Sequence, residues 1–224
     1  MKAAWLAACA LAWATGALAQ TAPAAAEAAR YTGVLAAAQR GDLAALDRLA
    51  PVDLQVRDGQ GRTALHVATF AHQHAAIRRL ADAGAELGAL ENDRYDAVTI
   101  AAVADDEETL RLLLSLGASA RRITSRYDGT ALIAAAHLGH AGVVRQLVAA
   151  GAPLDHVNNL HWTAAIEAVV LVDGGPRHQD TLAALIAAGA DLQLADRQGL
   201  TPLALARARG HAAMAAMLER AGAR

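Results

Sequence analysis

Apolar residues recur three and four positions apart along most of the chain, and each such run is short before a polar turn interrupts it. In Asp58–Leu90, Leu65 and Ala68 lie on one face of a first helix, and Leu80 lies on the inner face of a second. This spacing predicts paired amphipathic helices. Asp58 and Gly61 predict a tight turn ahead of the pair, Thr63 an N-cap, and Gly84 a left-handed stop. The same pattern returns downstream with Val98, Ala101 and Leu113, then Leu132, Ala135 and Leu147. Ala165, Ala168 and Leu185 follow, then Leu203, Ala206 and Leu218.

The terminal glycines Gly84, Gly117, Gly151, Gly189 and Gly222 stand 33, 34, 38 and 33 residues apart. The helix-start positions Thr63, Asp96, Thr130, Thr163 and Thr201 are spaced by 33, 34, 33 and 38. A period near 33 predicts an all-α repeat solenoid of about six stacked helix pairs. The expected repeats are 30–57, 58–90, 91–124, 125–157, 158–195 and 196–224, the first a degenerate cap with Pro51 near its end. Five extra residues separate Ala168 from Leu185. Gly174-Gly175-Pro176 within them predicts a longer loop between the helices of the fifth repeat, an insert at 172–180.

Asp58-x-x-Gly61-x-Thr63-Ala64-Leu65-His66-x-Ala68 and Asp196-x-x-Gly199-x-Thr201-Pro202-Leu203 resemble the ankyrin repeat signature. The resemblance spans about Arg30 to Arg224. The third repeat departs most, with Asp96 in place of Thr and Thr99 in place of His. In ankyrin arrays the hairpin tips and the exposed side of each first helix make a concave binding face. The resemblance therefore implies a non-enzymatic module that binds another protein. By this register the tips carry Gln60 and Arg62, Arg94 and Tyr95, Arg126 and Tyr127, His161 and Trp162, and Arg197 and Gln198. The helix stripe carries Phe70, Val103, His137, Val170 and Ala208. Tyr, Trp and Arg are the residue types enriched at interface hot spots. The expected partner-binding set is Arg62, Phe70, Arg94, Tyr95, Val103, Arg126, Tyr127, His161, Trp162, Val170 and Arg197.

Composition narrows the alternatives. The 224-residue chain is 55% hydrophobic but only 3% aromatic, which suits helices packed through alanine. A net charge of −2 gives no reason to expect nucleic acid as a partner. Residues 1–19 have the pattern of a secretory signal peptide: Lys2, an apolar run, and Ala17-Leu18-Ala19 before the cleavage point. The expectation is a periplasmic monomer without stable membrane insertion, with secretion as the alternative and host-protein binding as its consequence. Residues 20–29 read as an alanine-rich spacer. Leu6-Ala7-Ala8-Cys9 offers a competing lipoprotein box with too short an apolar run before it. Cleavage after Ala19 removes the only cysteine.

Two chemical alternatives compete with protein binding. His72 with His74, and His137 with His140, suggest metal, but each pair lacks the third and fourth ligands that zinc needs. Glu167, Asp173, Arg177, His178 and Asp180, with His161, combine carboxylate, imidazole and guanidinium around the insert. They would serve a small-molecule or metal-binding protein, or a hydrolase, only by converging in one pocket. No cofactor, no metal and no catalytic residue is expected.

Overall fold

A computed structural model describes residues 22–170 and 172–224. The expected signal peptide and Cys9 lie outside the described residues. Among these the fold is all-helical. A short arm helix, α1 (Ala25–Ala28), precedes six helix pairs: α2 (Gly33–Arg40) with α3 (Leu43–Leu46), α4 (Ala64–Phe70) with α5 (His74–Asp82), and α6 (Ala97–Val103) with α7 (Glu107–Ser115). The series continues with α8 (Ala131–Leu138) and α9 (Ala141–Ala149), α10 (Ala164–Val170) and α11 (Pro176–Ala187), and α12 (Pro202–Ala208) and α13 (Ala212–Arg220). First helices stack on first helices and second helices on second, each repeat touching its neighbours. The predicted inner positions, from Leu65 and Ala68 through Ala206 and Leu218, are all buried.

Each hairpin is built by one polar side chain. Asp58 Oδ1 accepts from the backbone N–H of Gln60 and Arg62, both at 2.9 Å. Asn158 does the same for Leu160 and Trp162, and Asp196 for Gln198 and Leu200. Glu91 substitutes in the third repeat, accepting from Asp93 and Tyr95 at 3.0 Å. Gly61 and Gly199 take φ of 74° at the turn's left-handed position, where Arg94 (68°) and His161 (64°) stand in other copies. A non-glycine residue there costs about 1 kcal/mol or more.

Helix starts are capped in two ways. Asp96 accepts from the Thr99 N–H at 2.8 Å, and Thr130, Thr163 and Thr201 accept from the residue three ahead. In the second repeat the imidazole completes the cap. His66 Nδ1 accepts the Thr63 N–H at 3.1 Å, and its Nε2–H reaches the Tyr95 carbonyl of the next repeat, also at 3.1 Å. These roles require the neutral ring. Burial pushes the His66 pKa down to about 4, opposed by its bond to Tyr95.

Two sequence expectations need correction. The insert does not simply lengthen a loop. Pro176 occupies the first turn of α11, where its missing N–H costs nothing. That helix has 12 residues against nine in α5, α7, α9 and α13, so about one turn of the extra length is helical. Gly175 N–H bonds Asp173 Oδ1 at 2.8 Å and Gln179 bonds the Gly174 carbonyl at 2.7 Å, which fixes the end of the connection. The spacer is also partly ordered: α1 carries Glu27 onto Arg62, and the neighbouring Tyr31 hydroxyl donates to Asp58 at 2.6 Å.

Between pH about 4 and its ordinary value near 6.5, His66 binds fewer protons in the fold than in the unfolded chain. Its contribution is therefore complete above pH 6.5 and is lost as pH falls toward 4, by on the order of 3 kcal/mol. His66→Asn should cost about 1–3 kcal/mol at pH 7 through the lost bond to Tyr95. That deficit should shrink on acidification, read as the difference between urea-unfolding free energies of wild type and variant at pH 4 to 7.

Candidate concave face

The hairpins form a continuous row because each is tied to the next. Asn92 N–H bonds the Gln60 carbonyl at 3.0 Å, Ser125 N–H the Arg94 carbonyl at 2.9 Å, and Asn159 N–H the Tyr127 carbonyl at 2.9 Å. Side chains repeat the tie. Arg94 pairs with Asp128 at 3.0 Å, Arg126 with Asp93, and Arg197 Nη2 donates to the Asn159 carbonyl at 2.6 Å.

This framework divides the expected partner-binding residues. Arg94, Arg126, His161 and Arg197 are exposed at the tips, while Tyr127 and Trp162 are half-buried, with Trp162 leaning on the core. Phe70 and Val103 are half-buried on the helix stripe. Three residues are corrected. Arg62 is only 2% exposed, because its guanidinium is held by Asp58 at 2.6 Å and by Glu27. Tyr95 is 9% exposed, and this burial raises its hydroxyl above the ordinary tyrosine range. Val170 is 3% exposed, in the repeat whose second helix, α11, also reaches α8 of the repeat before it.

What sequence spacing could not show is a groove at the amino-terminal end of the face. A cavity of about 250 Å³ lies between the arm and the second and third hairpins, lined by Ala22, Glu27, Gln60, Phe70, Asp93 and Ile100 among others. A second, of about 240 Å³, shares Ala22, Phe70 and Ile100 and extends to Val103 and Asp106. Its lining is mainly apolar. Glu27, which sets one wall, carries no signal in a stretch that reads as a spacer.

The chemical alternatives do not assemble. His72 bonds Asp106 at 2.5 Å and His74 bonds Thr109 at 2.8 Å, so the two turn toward separate partners in the next repeat. His140 Nδ1 bonds the Ala102 carbonyl at 2.9 Å, whereas His137 faces Glu167 at 3.2 Å. Among the described residues no three His, Cys, Asp or Glu side chains converge as a metal would require. Around the insert Arg177 reaches Asp105 at 3.6 Å, Asp173 caps its own turn, and His178 bonds the His137 carbonyl at 3.0 Å. The residues of the acid–base alternative thus turn to separate partners.

Comparison with known proteins agrees with this architecture. The model for three ankyrin repeat copies matches residues 34–124, and the single ankyrin repeat model matches 127–159. The ankyrin repeat protein YahD of Escherichia coli is 35% identical over 192 residues, covering 84% of this chain and 95% of its own. Among solved structures, an ankyrin repeat domain from Acinetobacter baumannii AYE superposes with a TM-score of 0.78 at 40% identity, covering 85% of this chain and 98% of that one. The ankyrin repeat protein EF0377 superposes at 0.74 with 28% identity and the same coverage. The chain belongs to the ankyrin repeat family. Proteins of this family generally mediate protein–protein interaction, typically without catalysis. No helix among the described residues is long and apolar enough to cross a membrane.

The correction at Arg62 has a measurable counterpart. Arg62→Ala leaves the buried Asp58 carboxylate without its counter-charge and should cost about 3 kcal/mol or more. Arg94→Ala removes an exposed pair and should stay within about 1 kcal/mol. Urea unfolding of the two variants separates the framework arginine from the surface one.

Proposed function

We propose that this chain is a non-enzymatic binding module of the bacterial cell envelope that grips a partner protein along its concave face. The observation that carries the reading is the groove on the second and third repeats. Its apolar floor of Phe70, Ile100 and Val103 lies beside polar hairpin tips, an arrangement suited to an extended partner segment with an apolar anchor. Arg94 and His161 support it further. Both are exposed residues at turn positions where glycine would be less strained, as expected where side-chain chemistry outweighs local stability. Export is supported by the leader pattern of residues 1–19 and by a remaining chain without cysteine, which no oxidising compartment can cross-link. The working state is a monomer, and nucleic acid is not its partner.

Phe70→Ala combined with Val103→Ala should weaken a captured partner at least tenfold while the melting temperature falls by only a few degrees. The measurement is affinity capture from envelope and soluble extracts of the producing organism, followed by binding isotherms. Recovery of the same proteins with the same affinity by wild type and variant would sink the concave-groove reading. Fractionation of tagged chain tests the envelope location separately.

A further inference from the structure

Glu167 occupies a first-helix position that is Val67, Ile100, Ala134 and Leu205 in the other full repeats. It is fully buried at 0% exposure, yet among the described residues no arginine or lysine pairs with it. Its Oε2 faces His137 Nδ1 of the preceding repeat at 3.2 Å, and its Oε1 lies 3.5 Å from Asn158 Nδ2 of its own hairpin. His137 is tied in turn to the insert helix, because its carbonyl accepts from His178 Nε2 at 3.0 Å. One short chain of polar atoms therefore joins α8, the fifth hairpin, α10 and α11.

We infer that His137 and Glu167 form a proton-linked latch between the fourth and fifth repeats. A single proton lies on the Nδ1···Oε2 line, bound either to the carboxyl or to the imidazole. With the pair holding one proton beyond a carboxylate and a neutral ring, its net charge is zero in either form. Loss of that proton to solvent, past the partly exposed edge of His137, leaves one uncompensated negative charge in the interior. The interface then loosens.

Among the described residues no charged side chain on the neighbouring helices, His137 apart, pairs with Glu167. The helices packed on α10 are α8, α11 and α12. On α8 the facing titratable group is His137. On α11, Arg177 reaches toward Asp105, Asp180 is exposed, and His178 is turned to the His137 carbonyl. On α12, Arg207 pairs with Glu219 at 2.7 Å, and Arg209 beyond it feels the charge of Asp196. In the hairpin, Asn158 is uncharged and His161 is exposed. Burial pushes the Glu167 carboxyl above the usual carboxylate range, opposed by its bonds to His137 and Asn158. A raised folded-state value means that the contribution is complete below the ordinary glutamate value and is lost as pH rises through the raised one.

Because His137 also belongs to the helix stripe of the concave face, the latch would couple proton activity to the shape of the surface that meets a partner. The latch itself is independent of whether a partner binds there. The test compares full-length wild type with Glu167→Gln, which keeps both hydrogen bonds without a titrating proton, and Glu167→Val, which copies the second repeat. Unfolding in urea from pH 5 to 9 should show wild type losing ground to both variants as pH rises. In the steepest interval the relative change should approach tenfold in folding equilibrium per pH unit, the limit for one proton. His66 and Asp96 titrate in all three chains and cancel in the difference. Carbon NMR of the Glu167 side-chain carboxyl should show it losing its proton over the same interval in wild type. Parallel stability profiles of wild type and both variants, or a Glu167 carboxyl that is ionised throughout the range, would overturn the latch.

Discussion

The close approach of successive first helices governs this molecule. At Ala68, Ala101, Ala135, Ala168 and Ala206 the side chain is a single methyl with at most 1% of its surface exposed. A larger residue at any of these points would push a neighbour outward, because a packed interior has little free volume to absorb added methylenes. The hairpin ties, the His66 bridge to Tyr95 and the alignment of the concave face all require that spacing. Local capping sets where each helix begins, but the alanine contacts decide where it stands.

Legibility followed the physics of repetition. The period, the caps at Thr130, Thr163 and Thr201, the glycine stops and the buried alanine and leucine positions all arise from local sequence, so one copy predicts the others. Residues whose role depends on another repeat were harder to read. Arg62 has the chemistry of a surface anchor, yet Asp58 and Glu27 enclose it, and Glu27 comes from a stretch with no helical periodicity to announce it. Pro176 was read as a breaker because proline interrupts helices, whereas its first-turn position makes it a starter. Glu167 did carry a signal: a carboxylate in a column otherwise apolar. Its isolation from arginine needed the packing around it.

The concave face combines a rigid frame with a few adjustable groups. Backbone bonds join the second hairpin through to the fifth and the Arg197 side chain carries the tie to the sixth, so the order of the tips is set before any partner arrives. That preorganisation reduces the entropic cost of association. Arg94, Arg126 and Arg197 are joined to neighbouring hairpins through exposed contacts that a partner could exchange for its own. The groove by the arm adds depth at the amino-terminal end of the row.

The lengthened α11 bears on how the array comes apart. In a linear stack each interface carries its own coupling, and a chain of like couplings melts as one body. Here one junction differs in kind: an extra helical turn lies over Gly139, with the His178 ring about 3.1 Å from where a methyl would sit. Among the described residues the helices of the fourth and fifth repeats touch more extensively than those of any other neighbouring pair, so this junction holds the two repeats together. The strength of this single seam relative to the others sets the size of the unit that opens together.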